Sequence, residues 1–232
     1  MTEPMPPRRY AIYVTPPAGP LANFGAAWLG WDPVAGQEVA HPDIPGLPAP
    51  IATLTETPRK YGLHATMKPP FALALGATET TLADAFTRFC AQTAPAPLDG
   101  LAVAPLGRFL ALLPEGDQTA ISALAADCVR AFEPFRAPLT EAELARRRAG
   151  GLTPDQEAQL SQWGYPHVMA GFRFHITLTG KRPKSDLPTL RATLGPRLAP
   201  ILPRPFPVDA LSLMAEDAKG RFHLLHRRPL AG

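Results

Sequence analysis

Apolar residues along this chain follow two rhythms. Short runs with a two-residue alternation predict strands, and longer stretches with a three-to-four-residue spacing predict helices. The strand rhythm covers residues 10–14, 98–103, 108–113, 208–213 and 221–225, with turns over 105–107 and 217–220. The helical rhythm covers 21–28, 79–92, 118–132 and 187–198, the second of these capped by Thr78 or Thr80. Two further strand-like runs carry polar residues on one side only. In Tyr61-Gly62-Leu63-His64-Ala65-Thr66-Met67-Lys68, alternation puts His64, Thr66 and Lys68 on one face and Leu63, Ala65 and Met67 on the other. In the run 172–179, Arg173, His175, Thr177 and Thr179 oppose Phe174, Ile176 and Leu178. Each run thus has an apolar core side and a polar side on which a histidine is followed two residues later by a threonine.

The two runs occupy equivalent places in a repeat. After each His-x-Thr the pattern reads helix, strand, turn, strand, and residue detail follows: Leu98-Asp99-Gly100-Leu101 matches Val208-Asp209-Ala210-Leu211, and Gly107-Arg108-Phe109 matches Gly220-Arg221-Phe222. An internal duplication of this kind packs about a pseudo-two-fold axis, which would set the two histidines opposite each other across a shared cleft. The expected organisation is one domain over 1–232: a first lobe to about 114, a helical insert over about 115–171, and a second lobe over about 172–232, with exchange of strands between lobes allowed. In the insert, Arg146-Arg147-Arg148 closes one helix and Thr153-Pro154 opens another, since proline at the first helical position after a threonine cap is a strong start signal.

Composition narrows the function classes. The chain has 232 residues, enough for a substantial core without staples, and its 30 prolines lie among apolar runs, which argues for loop punctuation rather than disorder. Its two cysteines, Cys90 and Cys128, sit in helical stretches and read as buried fillers suited to a reducing interior. The start, Met1 to Arg9, runs into the first strand without a long apolar segment, so neither a membrane association nor a signal peptide is expected and a cytoplasmic location is. A net charge of +3 suits an anionic ligand, but 4 tyrosines and 3 tryptophans without a dense basic stripe do not describe a broad nucleic-acid groove, and no DNA partner is expected. No Cys/His/Asp cluster has metal-ligand spacing, so no metal and no cofactor are expected. Gly-x-Ser-x-Gly and Gly-x-x-x-x-Gly-Lys are both absent.

Two imidazoles and two hydroxyls in one cleft supply a general base, a general acid and neutral donors for an anion. His64, Thr66, His175 and Thr177 are therefore the candidate catalytic residues for opening a phosphodiester. Lys68 and Arg173, on the same faces, could neutralise a phosphate, and Thr179 could add a donor, although Gly180 ends that run. Arg146, Arg147 or Arg148 could hold a terminal phosphate of the substrate; a solvated helix face is the alternative. Trp163-Gly164-Tyr165-Pro166 reads as a lid, a stacking platform or a packed loop anchor.

The paired motifs resemble the two-histidine (2H) phosphoesterase superfamily, which includes RNA 2′,3′-cyclic phosphodiesterases. More narrowly, residues 59–71, 163–168 and 172–180 resemble a branch labelled phosphonate metabolism protein. The resemblance implies a bilobal α+β fold with two antiparallel sheets lining a central cleft and helices outside. It implies a metal-independent phosphodiesterase acting on a small sugar or nucleotide cyclic phosphate. An RNA end with a 2′,3′-cyclic phosphate is the alternative substrate, and a non-catalytic module binding a phosphorylated ligand is the alternative of another class.

Overall fold

The computed structural model describes residues 9–232; residues 1–8 of the start that runs into the first strand lie outside the described residues. In chain order the elements are β1 (Tyr10–Val14), α1 (Pro20–Leu29), a small hairpin of β2 (Trp31–Asp32) and β3 (Gln37–Glu38), and the single-turn helices α2 (Ile51–Leu54) and α3 (Glu56–Arg59). There follow β4 (Ala65–Phe71), α4 (Glu79–Ala91), β5 (Gly100–Leu106), β6 (Phe109–Glu115) and α5 (Thr119–Ala131). The rest is α6 (Glu141–Arg148), α7 (Pro154–Trp163), β7 (Ile176–Thr177), α8 (Leu187–Leu198), β8 (Ala210–Glu216) and β9 (Phe222–Pro229). The fold class is α+β.

β1 is buried on both faces, Tyr10, Ile12 and Val14 in the main core and Ala11 and Tyr13 against Met214 and Phe222; its edges pair, antiparallel, with β4 and β8, and β9 extends the sheet to the order β4-β1-β8-β9. The second main sheet has the antiparallel order β5-β6-β7. The two sheets do not follow the two halves of the chain. The hairpin that follows the first His-x-Thr unit pairs with β7 of the second unit, and the hairpin that follows the second unit joins β1 and β4 of the first. A hydrogen bond from the Trp28 indole on α1 to the Leu178 carbonyl (2.7 Å) adds a further tie between the halves.

The helices bury apolar stripes against the sheets: Leu82, Phe86 and Cys90 from α4, Ile121, Leu124 and Cys128 from α5, and Leu187, Leu190, Leu194 and Leu198 from α8. Burying each Leu or Phe side chain contributes about 1.5–3 kcal/mol. α4 starts at Thr78, whose hydroxyl accepts from the Thr81 amide while the Thr81 hydroxyl accepts from the Thr78 amide. α7 starts at Thr153, with Pro154 in its first turn.

The sequence pattern overextends the two motif strands. Gly62, at φ 71°, turns the chain before His64, and the ladder of β4 begins only at Ala65. In the second copy only Ile176–Thr177 pairs as a strand. The Leu178 and Thr179 amides both donate to the Leu110 carbonyl (2.9 and 3.2 Å), which ends the regular ladder there. The β2–β3 hairpin and the turns of α2 and α3 are too short to leave a periodic signal.

Candidate active site

A glycine sets the position of the first histidine. A Cβ on Gly62 would lie 2.6 Å from Pro33 Cγ, and the positive φ adds strain for any other residue. The resulting turn aims the Gly62 carbonyl at His64 Nδ1, 2.9 Å away. A carbonyl only accepts, so Nδ1 carries the hydrogen and Nε2 of the neutral ring is left as the acceptor. Thr66 Oγ1 lies 3.2 Å from that nitrogen and donates to it. The His64 ring stacks on Tyr13, with centroids 3.9 Å apart, and Tyr61 packs against it at 5.5 Å. Burial among these rings lowers the His64 pKa to about 4; the Gly62 carbonyl opposes that shift, and the charge of His175 adds to it.

His175 repeats the arrangement. Its Nδ1 donates to the Arg173 carbonyl at 2.8 Å, again two residues upstream, and Phe109 packs beside the ring at 5.8 Å. Thr177 sits half-buried on β7 opposite Ala111. The two rings are close enough for the charge of one to act on the other. Each imidazole thus keeps Nε2 clear of its own backbone, with a threonine two residues on.

Several other sequence candidates lie elsewhere. Lys68 does not share the face of Thr66. Tyr13 sits opposite Thr66 and its neighbour Ile12 opposite Lys68, so one step on β1 spans two on β4, and this β-bulge turns Lys68 toward the helices. There it is 2% exposed, donates to the Val129 carbonyl (3.0 Å) and pairs with Glu133 (2.9 Å). Its pKa is lowered by burial against the pull of Glu133. Thr179 is fully buried, and its hydroxyl accepts from the Leu110 amide at 3.0 Å, so it closes the strand rather than facing a ligand. Arg173 is exposed and serves His175 through its carbonyl. Arg148 pairs with Glu157 of α7, Nε lying 3.0 and 3.1 Å from the two carboxylate oxygens, and Arg146 is exposed on α6. Arg147 lies over the Tyr165 ring, 5.0 Å from its centroid.

Other polar residues of the cleft escaped the sequence reading. Strand register sets Thr66, Tyr13, Ser212 and Arg227 in a row across β4, β1, β8 and β9. Tyr13 is fully buried, yet its hydroxyl has no hydrogen-bond partner among the described residues; the same holds for Nε of Arg147 and of Arg227. Alternation along β1 could have flagged Tyr13 as opposite in face to Ile12 and Val14. For Arg227 no such signal exists, because an irregularity in the β8–β9 pairing resets the count. A groove of about 710 Å³ between Pro105, Leu187, Arg191 and Pro196 contains neither histidine. Among the described residues no three His, Cys, Asp or Glu side chains form a metal-binding group, and no helix is long and apolar enough to cross a membrane.

Similarity to known proteins extends over nearly the whole chain. It is 39% identical over 231 residues to the protein named Ribose 1,5-bisphosphate phosphokinase PhnN of Janthinobacterium sp. (strain Marseille), covering 97% of this chain and 51% of that one. It is 34% identical over 220 residues to the protein of the same name from Laribacter hongkongensis (strain HLHK9), covering 91% and 49%. The chain thus spans about half the length of the curated relatives it matches. The crystal structure of E. coli LigT complexed with 3′-AMP aligns over 98% of this chain and 99% of that chain at 15% identity, with a TM-score of 0.45, an overlap too loose to speak to function. The model of the family described as Protein of unknown function (DUF1045) matches residues 66–223, more than half of the chain, and the chain belongs to that family.

Proposed function

We propose that the cleft is the active site of a phosphodiesterase that opens a small cyclic phosphate with two imidazoles and without a metal ion. The matched pair carries this reading. At both His-x-Thr copies a carbonyl two residues upstream takes the Nδ1 hydrogen and leaves Nε2 facing away from the backbone, and the charge of His175 reaches His64. Two such groups do not both hold a proton readily, which divides them into a base and an acid.

His64 is neutral at pH 7, since its pKa lies near 4, and is assigned the base. An anionic phosphodiester beside it raises its basicity. Water attacks phosphorus and gives its proton to His64 Nε2. The ester bond to the ring oxygen breaks, and that oxygen takes a proton from Nε2 of protonated His175. The product is a ring-opened phosphomonoester, and solvent exchange restores both rings. The Thr66 hydroxyl turns from His64 Nε2 as that nitrogen takes the water proton, and Thr66 and Thr177 donate to the non-bridging oxygens as charge builds on them.

The names of the relatives bear on the substrate. The chain carries no Gly-x-x-x-x-Gly-Lys loop, so the phosphokinase of their name is assigned to the half of those proteins that this chain does not span. Opening the cyclic phosphate of a phosphorylated ribose yields a ribose bisphosphate, the class of compound in that name, and this substrate leads. The two tyrosines packed on His64, Tyr13 and Tyr61, favour a second reading, an RNA end whose bases stack beside the histidine.

A turnover screen with EDTA present tests the proposal across ribose cyclic phosphates, nucleoside 2′,3′-cyclic phosphates and cyclic-ended oligonucleotides. A phosphorylated ribose cyclic phosphate should give the highest kcat/KM. His64→Ala and His175→Ala should each lower turnover by at least ~100-fold with folding intact, roughly the contribution of one general acid or base. Full activity in either variant, or its loss with EDTA, excludes the mechanism. A better rate on longer oligonucleotides transfers the assignment to RNA, and binding without turnover of any ester leaves a ligand-binding module.

A further inference from the structure

Three arginines close α6, and their environments differ. Arg148 is neutralised by Glu157 and Arg146 is exposed. Arg147 is half-buried, its guanidinium fixed over the Tyr165 ring, and its Nε has no partner among the described residues. It makes no salt bridge there, although Glu143, one turn earlier, acts on it by charge. Tyr165 in turn lies within electrostatic reach of Tyr61 and Tyr13. Tyr13 places its ring on His64 and leaves a fully buried hydroxyl unpaired. A buried polar group left without a partner costs about 1–3 kcal/mol, and native proteins keep few such groups. Two of them flank Tyr165, Arg147 stacked on its ring and Tyr13, itself stacked on His64, within reach of its charge.

We propose that Arg147 and the hydroxyls of Tyr13 and Tyr165 form a second anion subsite beside His64, which holds a terminal phosphate of the ligand. The proposal rests on the reading of the histidine pair given above and names the feature by which that site selects a doubly phosphorylated compound. A guanidinium stacked on a ring loses little further freedom on binding, and its fork of donors matches phosphate oxygens. Arg9 acts on Arg147 by charge, but its Nε and one of its terminal nitrogens are held by Glu216, at 2.7 and 2.5 Å, so its charge is already matched. Arg227, at the far edge of the same sheet, is the rival cation.

Calorimetric titration of ribose 5-phosphate, with ribose as the reference, tests the subsite without any turnover. The intact chain should bind ribose 5-phosphate and not ribose. Arg147→Gln should weaken that binding by about tenfold or more, the scale of one charge-assisted pair, and Tyr13→Phe should weaken it by a smaller factor with the stacked ring retained. Arg148→Gln should leave the affinity unchanged, and thermal melts should report every variant folded. Equal affinity for both sugars, an undiminished affinity in Arg147→Gln, or a larger loss in Arg227→Gln overturns the proposal. Hydrolysis of a nucleoside 2′,3′-cyclic phosphate, read in parallel, separates the two ideas. Arg147-dependent binding without hydrolysis of any cyclic phosphate retires the mechanism and keeps the subsite; hydrolysis without Arg147-dependent binding does the reverse.

Discussion

His64 enters the folded state at a disadvantage in acid. An unfolded imidazole titrates near 6.5 and the folded one near 4, so between those values the unfolded chain binds more protons. Stability from this group is complete above pH 6.5 and falls as the pH drops toward 4, by at most ~3 kcal/mol. Urea unfolding at pH 7 and pH 4.5 should show a smaller acid loss in His64→Gln than in the unsubstituted chain; equal losses would mean that His64 is not desolvated. The same shift predicts that the acid limb of kcat/KM lies well below pH 6.5, and a limb at or above 6.5 would remove His64 as the base. Lys68 makes the opposite kind of claim. Lys68→Ala should destabilise the fold by about 3–5 kcal/mol, because a buried pair loses one partner, although Arg136 still holds Glu133 with its Nε at 2.9 Å. Its kcat/KM on any cyclic phosphate should stay within about threefold, since no catalytic contact is removed. The shared carbonyl bond at His64 and His175 has a local origin, since the same motif recurs in the repeat; Lys68 was misread because a bulge on β4 is set by pairing with β1, not by the local run.

Among the elements, those with strong local chemistry matched the sequence closely. α4 and α7 begin at the threonines that could cap them, and α5 and α8 lie where the apolar spacing put them. β7 did not. Its two paired residues fall short of the eight-residue alternating run, since the departure of Leu178 and Thr179 from the ladder depends on what β6 offers. Thr179 closes that junction, so Thr179→Val should cost about 1–3 kcal/mol by leaving the buried Leu110 amide unpaired. Thermal or urea unfolding reads this directly. A loss of activity out of proportion to the loss of stability would return Thr179 to the ligand site.

At the scale of the molecule, each main sheet contains strands from both halves of the chain. Fragments 9–116 and 117–232, cut at the turn after β6, should each fail to unfold cooperatively alone, because neither keeps a complete sheet. Mixed, they should regain a cooperative melt by circular dichroism; an independently folded fragment would contradict the exchange. The sequence by itself determined the repeat, the helices and the two His-x-Thr pairs, since spacing, caps and repeated residue types are local properties that survive without a partner strand. Only the tertiary structure decided which hairpin pairs with which motif strand, which way Lys68 turns, and that Tyr13 stacks on His64 while Arg147 stacks on Tyr165. Those outcomes depend on register and on which groups burial leaves unpaired, and both exist only once distant segments have met.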